Sequence, residues 1–127
     1  MIIRNLQDCL ASRKVEDPNG NWNSVRMLLK ADGMGFSFHI TTIYAKRTMQ
    51  MHYINHLESV YCIAGSGSIK DTVTGEEHDI HPGVIYALDK HDKHILTANH
   101  EMTLACVFNP PIKADEVHDE KGAYALD

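Results

Sequence analysis

Cysteine is scarce and scattered in this sequence. Cys9, Cys62 and Cys106 are odd in number and far apart, which argues against a disulfide framework or a CxxC zinc site. No apolar run approaches the roughly 18 residues that a membrane span needs, and residues 1–14 lack the apolar core of a signal peptide. No block of lysine or arginine offsets the formal net charge of −5, so neither nucleic acid nor an anionic membrane is an expected partner. A helical period is missing as well, as are internal repeats, low-complexity tracts and any composition shift that would mark a linker. A reduced, cytoplasmic protein is the expectation.

What remains is ordinary for a globular chain: 127 residues, 43% hydrophobic and 23% charged, enough for one domain spanning 1–127 with a single core. The pattern is one of short strands. Residues 22–30 alternate with Trp22, Ser24, Arg26 and Leu28 on one face, and residues 36–44 alternate with Ser37, His39, Thr41 and Ile43 on one face. Strands are also expected at 51–53, 58–64, 68–73, 78–80, 84–88, 94–98 and 102–108. Turns are expected at Gly65-Ser66-Gly67, Thr74-Gly75 and Pro82-Gly83. Turn signals about every ten residues predict an all-β fold, a small jelly-roll-like β-barrel. The charged tail from 112 to 127 is read as irregular or helical, and as a mobile segment.

The chemistry concentrates between His52 and Gly67, HYINHLESVYCIAGSG. Two histidines, a tyrosine and a glutamate lead there into an apolar run, a reactive group on a rigid wall. Arg26 lies on an otherwise apolar strand, and a buried arginine requires an anionic partner. His39 reads either as a hydrogen-bonded core histidine or as a site residue. Cys62 and Cys106 read as small core residues, and His78, His81, His91, His100 and His118 as surface residues.

Glu58 followed after six residues by Gly65 matches part of the first cupin motif, G-x5-H-x-H-x3-4-E-x6-G. Met51 and Tyr53 stand where that motif has its histidine pair, and Ala45 where it has its first glycine. Tyr86 stands where the second motif, P-x-G-x-x-H, has its histidine. This departure, with His94 one strand later, resembles the ectoine synthase family of cupins. The resemblance runs through MIIRN, GNWxSxRM, GFSFHITTI, HYxNHLESVYCI, PGxxYALDxHDxH, LACVFNPP and EVHDExGAY in order.

The resemblance implies a cupin barrel, a dimer, and ring closure of N-γ-acetyl-L-2,4-diaminobutyrate to the compatible solute ectoine with loss of water. It implies a divalent metal, iron(II) first, with Zn(II) or Mn(II) compatible with the same donors, held by Glu58, Tyr86 and His94. Substrate contacts would come from Trp22, Arg26, Thr41, Tyr53, Cys106, Phe108 and Glu116, with His39 as a further candidate. Arg26 would clamp the carboxylate, and Glu116 would close from the tail as a lid. Tyr53, His56 or Asp92 would take the ammonium proton. Two other readings compete, an iron oxygenase acting on a small amino acid and a non-catalytic cupin that binds a small ligand.

Overall fold

The computed structural model describes residues 1–113, 117–119 and 122–125. Its strands are β1 (Lys14–Glu16), β2 (Trp22–Leu28), β3 (Ser37–Ile43), β4 (Thr48–Met51), β5 (Leu57–Asp71), β6 (Glu77–Ile80), β7 (Ile85–Leu88) and β8 (His94–Asn109). All pairs are antiparallel, in the order β1-β2-β3-β8-β5-β6, with β4 on β8 and β7 on β5. The two longest strands, β5 and β8, pair with each other, and each serves two further neighbours. β8 carries β4 on its first half and β3 on its second; β5 carries β7 on its first half and β6 on its second. Such sharing folds one sheet over its own inner face, and the result is the expected all-β, cupin-type barrel, although its hydrogen-bonded path is not closed.

The alternation read from the sequence sets the inner face. Trp22, Ser24 and Arg26 of β2, Ser37 and His39 of β3, and Glu58, Val60 and Cys62 of β5 are all buried. Around them Met102, Leu104, Leu96, Ile80 and Ile112 form the apolar core. Each such side chain stabilises the fold by about 1.5–3 kcal/mol relative to exposure.

Three expectations are corrected. Gly65-Ser66-Gly67 does not turn the chain; it lies inside β5, where the register against β8 shifts. Gly65 adopts φ 89°, and a Cβ there would collide with the Glu101 carbonyl and lie 2.7 Å from Met102 Cα. Glycine therefore serves a bulge and a close backbone approach, not a reversal. By the same pairing, residues 94–98 and 102–108 are parts of one strand. A helix does exist, α1 (Leu6–Ser12), seven residues long and too short to display a period. It is started by Asn5, whose Oδ1 accepts the Asp8 N–H at 2.9 Å, and it buries only Cys9. The N-terminal segment is tied down by Arg4, which grips Asp32 bidentately at 2.8 and 3.0 Å. Among the described residues, no helix is long and apolar enough to cross a membrane.

Candidate active site

Inside the barrel lies a small cavity lined by polar and aromatic side chains. Eight of the expected site residues line it: Trp22, His39, Thr41, Tyr53, Glu58, Tyr86, Cys106 and Phe108. Their convergence follows from register. Ser24 pairs with Thr41 across β2 and β3, Thr41 with Leu104 across β3 and β8, and Val60 with both Cys106 and Tyr86. Directly opposed residues of antiparallel strands share a face, so one register brings all these side chains inward.

Aromatic rings pack one end. Tyr53 stacks on Tyr124 with centroids 5.6 Å apart and planes 5° apart, and both meet Phe108 edge-on. His118 completes the group. Its Nε2 lies 2.8 Å from the Tyr53 hydroxyl, and its ring is 5.4 Å from Trp22. Burial lowers the His118 pKa to about 4, so the ring is neutral at pH 7, while burial and the nearby Glu58 hold the Tyr53 phenol well above its usual range.

His118 was expected at the surface, and that expectation is corrected. Its charged neighbours in sequence concealed it. The apolar Ala123-Tyr124 pair, both buried, is the signal that could have placed the tail against the core. Ser24 and Tyr124 also line the cavity and were absent from the candidate set.

On the β5/β7/β8 side, Glu58 is buried with no cation against it among the described residues, and burial raises its pKa to about 8. Cys106 lies beside it, and burial with the Glu58 charge pushes the thiol well up. Tyr86 is also raised well above its ordinary value, by burial first and then by Glu58. His94 donates Nδ1–H to the Asp92 carbonyl at 2.9 Å, which leaves Nε2 as a lone pair. That atom is buried without a partner among the described residues. A histidine whose far nitrogen donates to a backbone carbonyl while its near nitrogen stands bare is the arrangement of a metal ligand.

His94 and Tyr86 share an outer cleft, and Tyr86 and Glu58 share the cavity, so the phenol links the two. Among the described residues, no three His, Cys, Asp or Glu side chains form a metal-holding group. A donor set here therefore needs Tyr86.

Besides His94, four expected residues lie off the cavity wall or outside the description. Arg26 is fully buried beneath the Tyr124 ring, 5.9 Å from its centroid, and Nη1 donates to the Lys113 carbonyl at 3.3 Å. His56 is buried edge-on to Phe108 and Tyr124. Asp92 lines the outer cleft, and its Oδ1 accepts the Lys90 N–H. Glu116 falls outside the described residues. His91 is exposed but ties the loop to the site, with Nδ1 2.8 Å from the Tyr53 carbonyl and 3.1 Å from that of His56.

Comparison with known proteins identifies the family. A family model for ectoine synthases matches residues 1–127. A curated L-ectoine synthase from Marinomonas sp. (strain MWYL1) is 58% identical over 127 residues, covering 99% of this chain and 98% of that protein. The crystal structure of ectoine synthase from P. lautus superposes with a TM-score of 0.87 at 46% identity, covering 99% of this chain and 91% of the other. The cupin domain of an XRE-family transcriptional regulator from Enterobacter cloacae shares the fold alone, at TM-score 0.58 and 13% identity over 72% of this chain and 98% of that one. The family model over the whole chain and a relative of 58% identity show that the chain belongs to the ectoine synthase family.

Proposed function

We propose that this protein closes N-γ-acetyl-L-2,4-diaminobutyrate into ectoine with loss of water, using a divalent metal held by Glu58, Tyr86 and His94. The observation that carries the metal reading is the bare, buried Nε2 of His94, with the cation-less carboxylate of Glu58 as its complement. A carboxylate, a phenolate and an imidazole suit iron(II), and also Zn(II) or Mn(II). When bound, the metal supplies Lewis acidity at the substrate carbonyl oxygen.

The chain's own residues do the rest. The cavity holds the substrate folded, α-amine against acetamide carbon, and such orientation is worth up to about 7–11 kcal/mol. Trp22 and Phe108 wall the acetyl and methylene groups. Tyr53 accepts the ammonium proton through its oxygen as its own proton passes to the neutral His118 Nε2, 2.8 Å away. The freed amine forms the C–N bond and gives a carbinolamine. The C–O bond then breaks, one water leaves, and the cyclic amidine remains. His56 and Asp92, held off the cavity wall, act by positioning: His56 supports Phe108 and Tyr124, and Asp92 fixes the His94 ring through its carbonyl. Arg26, buried along β2 from Ser24, supplies positive charge for the substrate carboxylate.

The protein works in the cytoplasm as a homodimer, in which a second copy covers the outward apolar residues Leu57, Tyr61, Ile63 and Ile85 of β5 and β7. A sedimentation run showing only monomer would remove the dimer.

The deciding experiment is an anaerobic turnover assay with iron(II), ring closure followed by NMR. Metal-dependent appearance of the cyclic amidine is expected. Full activity in metal-stripped protein would overturn the role of the metal, and absence of product would overturn the reaction. No observation favours an oxygenase, whose cupin histidine pair is replaced here by Met51 and Tyr53.

A further inference from the structure

The turn between β4 and β5 and the loop between β7 and β8 each carry residues that the proposed reaction uses. Residues 52–56 present Tyr53 and His56, and residues 89–93 lead into His94. The Tyr53 and His94 rings stand 5.7 Å apart. Each segment has an outer anchor. His52 N–H donates to the Gly122 carbonyl at 3.2 Å, and Asn55 Nδ2 donates to the Tyr124 carbonyl at 2.9 Å. On the other side, the Lys93 carbonyl accepts the Thr72 N–H at 3.0 Å and the Thr72 hydroxyl at 3.1 Å.

One side chain crosses between the two segments. His91 Nδ1 lies 2.8 Å from the Tyr53 carbonyl and 3.1 Å from the His56 carbonyl. Carbonyls only accept, so Nδ1 carries the ring proton and donates to both. The backbone aims this donor. His91 has φ 54° and shares a positive φ, among the described non-glycine residues, with Lys46 alone. Such a conformation is unfavourable for a residue with a Cβ and persists where surrounding contacts hold it. At His91 the contact is the forked hydrogen bond itself.

We propose that His91 is a positioning residue, whose Nδ1–H clamps the β7–β8 loop onto the β4–β5 turn and so fixes the Tyr53 hydroxyl and the His94 imidazole relative to each other. The next residue, Asp92, supplies the carbonyl that accepts His94 Nδ1–H at 2.9 Å, so slack at position 91 passes to that ring. The Tyr53 carbonyl belongs to the residue whose hydroxyl faces the cavity end, so slack passes there too. Two groups that must meet one small substrate need such a clamp, because a misplacement of about 1 Å can cost roughly 100-fold. The roles of Tyr53 and His94 rest on the proposed ring closure and its metal; the clamp itself does not.

Three substitutions tolerate the left-handed backbone and differ only at the clamp. His91→Gly removes the donor, His91→Asn puts an N–H close to the Nδ1 position, and His91→Asp puts an acceptor there. In metal-free wild type, ¹⁵N NMR should show His94 as the single Nδ1–H tautomer set by the Asp92 carbonyl. His91→Gly and His91→Asp should shift the His94 ring nitrogens towards a mixture of tautomers, and His91→Asn should keep the wild-type signals. Co(II) affinity should follow the same order, roughly 10- to 100-fold weaker for His91→Gly and largely restored by His91→Asn. At saturating metal, kcat for ring closure should fall in that order with KM little changed.

If the three variants behave alike, whether all impaired or all like wild type, position 91 does not act through its N–H, and the proposal is overturned. A wild-type protein that binds metal yet cyclises nothing would sink the reaction, while the tautomer and Co(II) series still decide the clamp.

Discussion

The two walls of the cavity are both buried and both polar, yet they are finished differently. On β2 and β3, Ser24, Ser37, His39 and the Ile112 amide satisfy one another in an unbroken series. On β5, β7 and β8, among the described residues, Glu58 has no cation and His94 Nε2 has no partner, and the Glu58 and Tyr86 pKa values are pushed up. Unmet polar groups in a low-dielectric interior are costly. The closed wall satisfies its own polar groups and fixes geometry; in the proposed reading a bound cation completes the open wall. Catalysis in this reading divides along that line, with orientation on one side and charge stabilisation on the other.

The largest expected effect comes from the open wall. His94→Ala and Glu58→Ala should each reduce metal content and turnover together, by about a thousandfold or more if the Lewis acid supplies several kcal/mol. Metal analysis alongside the NMR assay checks it. A variant that loses metal but keeps turnover would break the division of labour between the walls.

Stability should separate the walls by sign. In metal-free protein, Ser37→Ala strands the Ile112 amide and His39 Nε2, and a loss of about 2–6 kcal/mol is expected at 1–3 kcal/mol for each orphaned buried group. Glu58→Gln removes a group that must take up a proton to be buried in metal-free protein, and a gain of about 1–3 kcal/mol is expected at pH 7. Urea denaturation of both variants reads the signs. Two losses would mean that Glu58 is already compensated without metal.

Much of this contrast could be read from the sequence, because a strand shows its faces. The period of two placed Trp22 with Ser24 and Arg26, Ser37 with His39 and Thr41, and Glu58 with Val60 and Cys62, and all three faces point inward. Cross-strand partnership was not legible, because register depends on bulges. Gly65 reads as a turn in one dimension and serves a close approach to Glu101 and Met102 in three. For the same reason Ser24 was passed over. A serine on an apolar face carries no signal until Thr41 and His39 are known to stand beside it. His118 was hidden by charged neighbours, while the cavity selects it through Tyr53 and Trp22.

The smallest expected effect is the most specific, because His39 and Glu58, one on each wall, titrate in opposite senses. His39 has a folded pKa of about 3 against roughly 6.5 unfolded. Between those values the unfolded chain holds a proton that the native state refuses, so stability is lost as pH falls below 6.5. His118, lowered to about 4, and His94, also lowered, act in the same direction. Glu58, raised to about 8 from an unfolded value near ~4.3, does the reverse, since the native state holds the extra proton and acidification favours it.

Each of His39 and Glu58 is worth about 1 kcal/mol between pH 6.5 and 5.5. Over that interval metal-free His39→Asn should therefore lose about 1 kcal/mol less than wild type, and metal-free Glu58→Gln about 1 kcal/mol more. Denaturant midpoints at the two pH values measure both differences. If neither variant departs from the wild-type slope, burial does not control these two groups, and the contrast between a closed and an open wall fails with it.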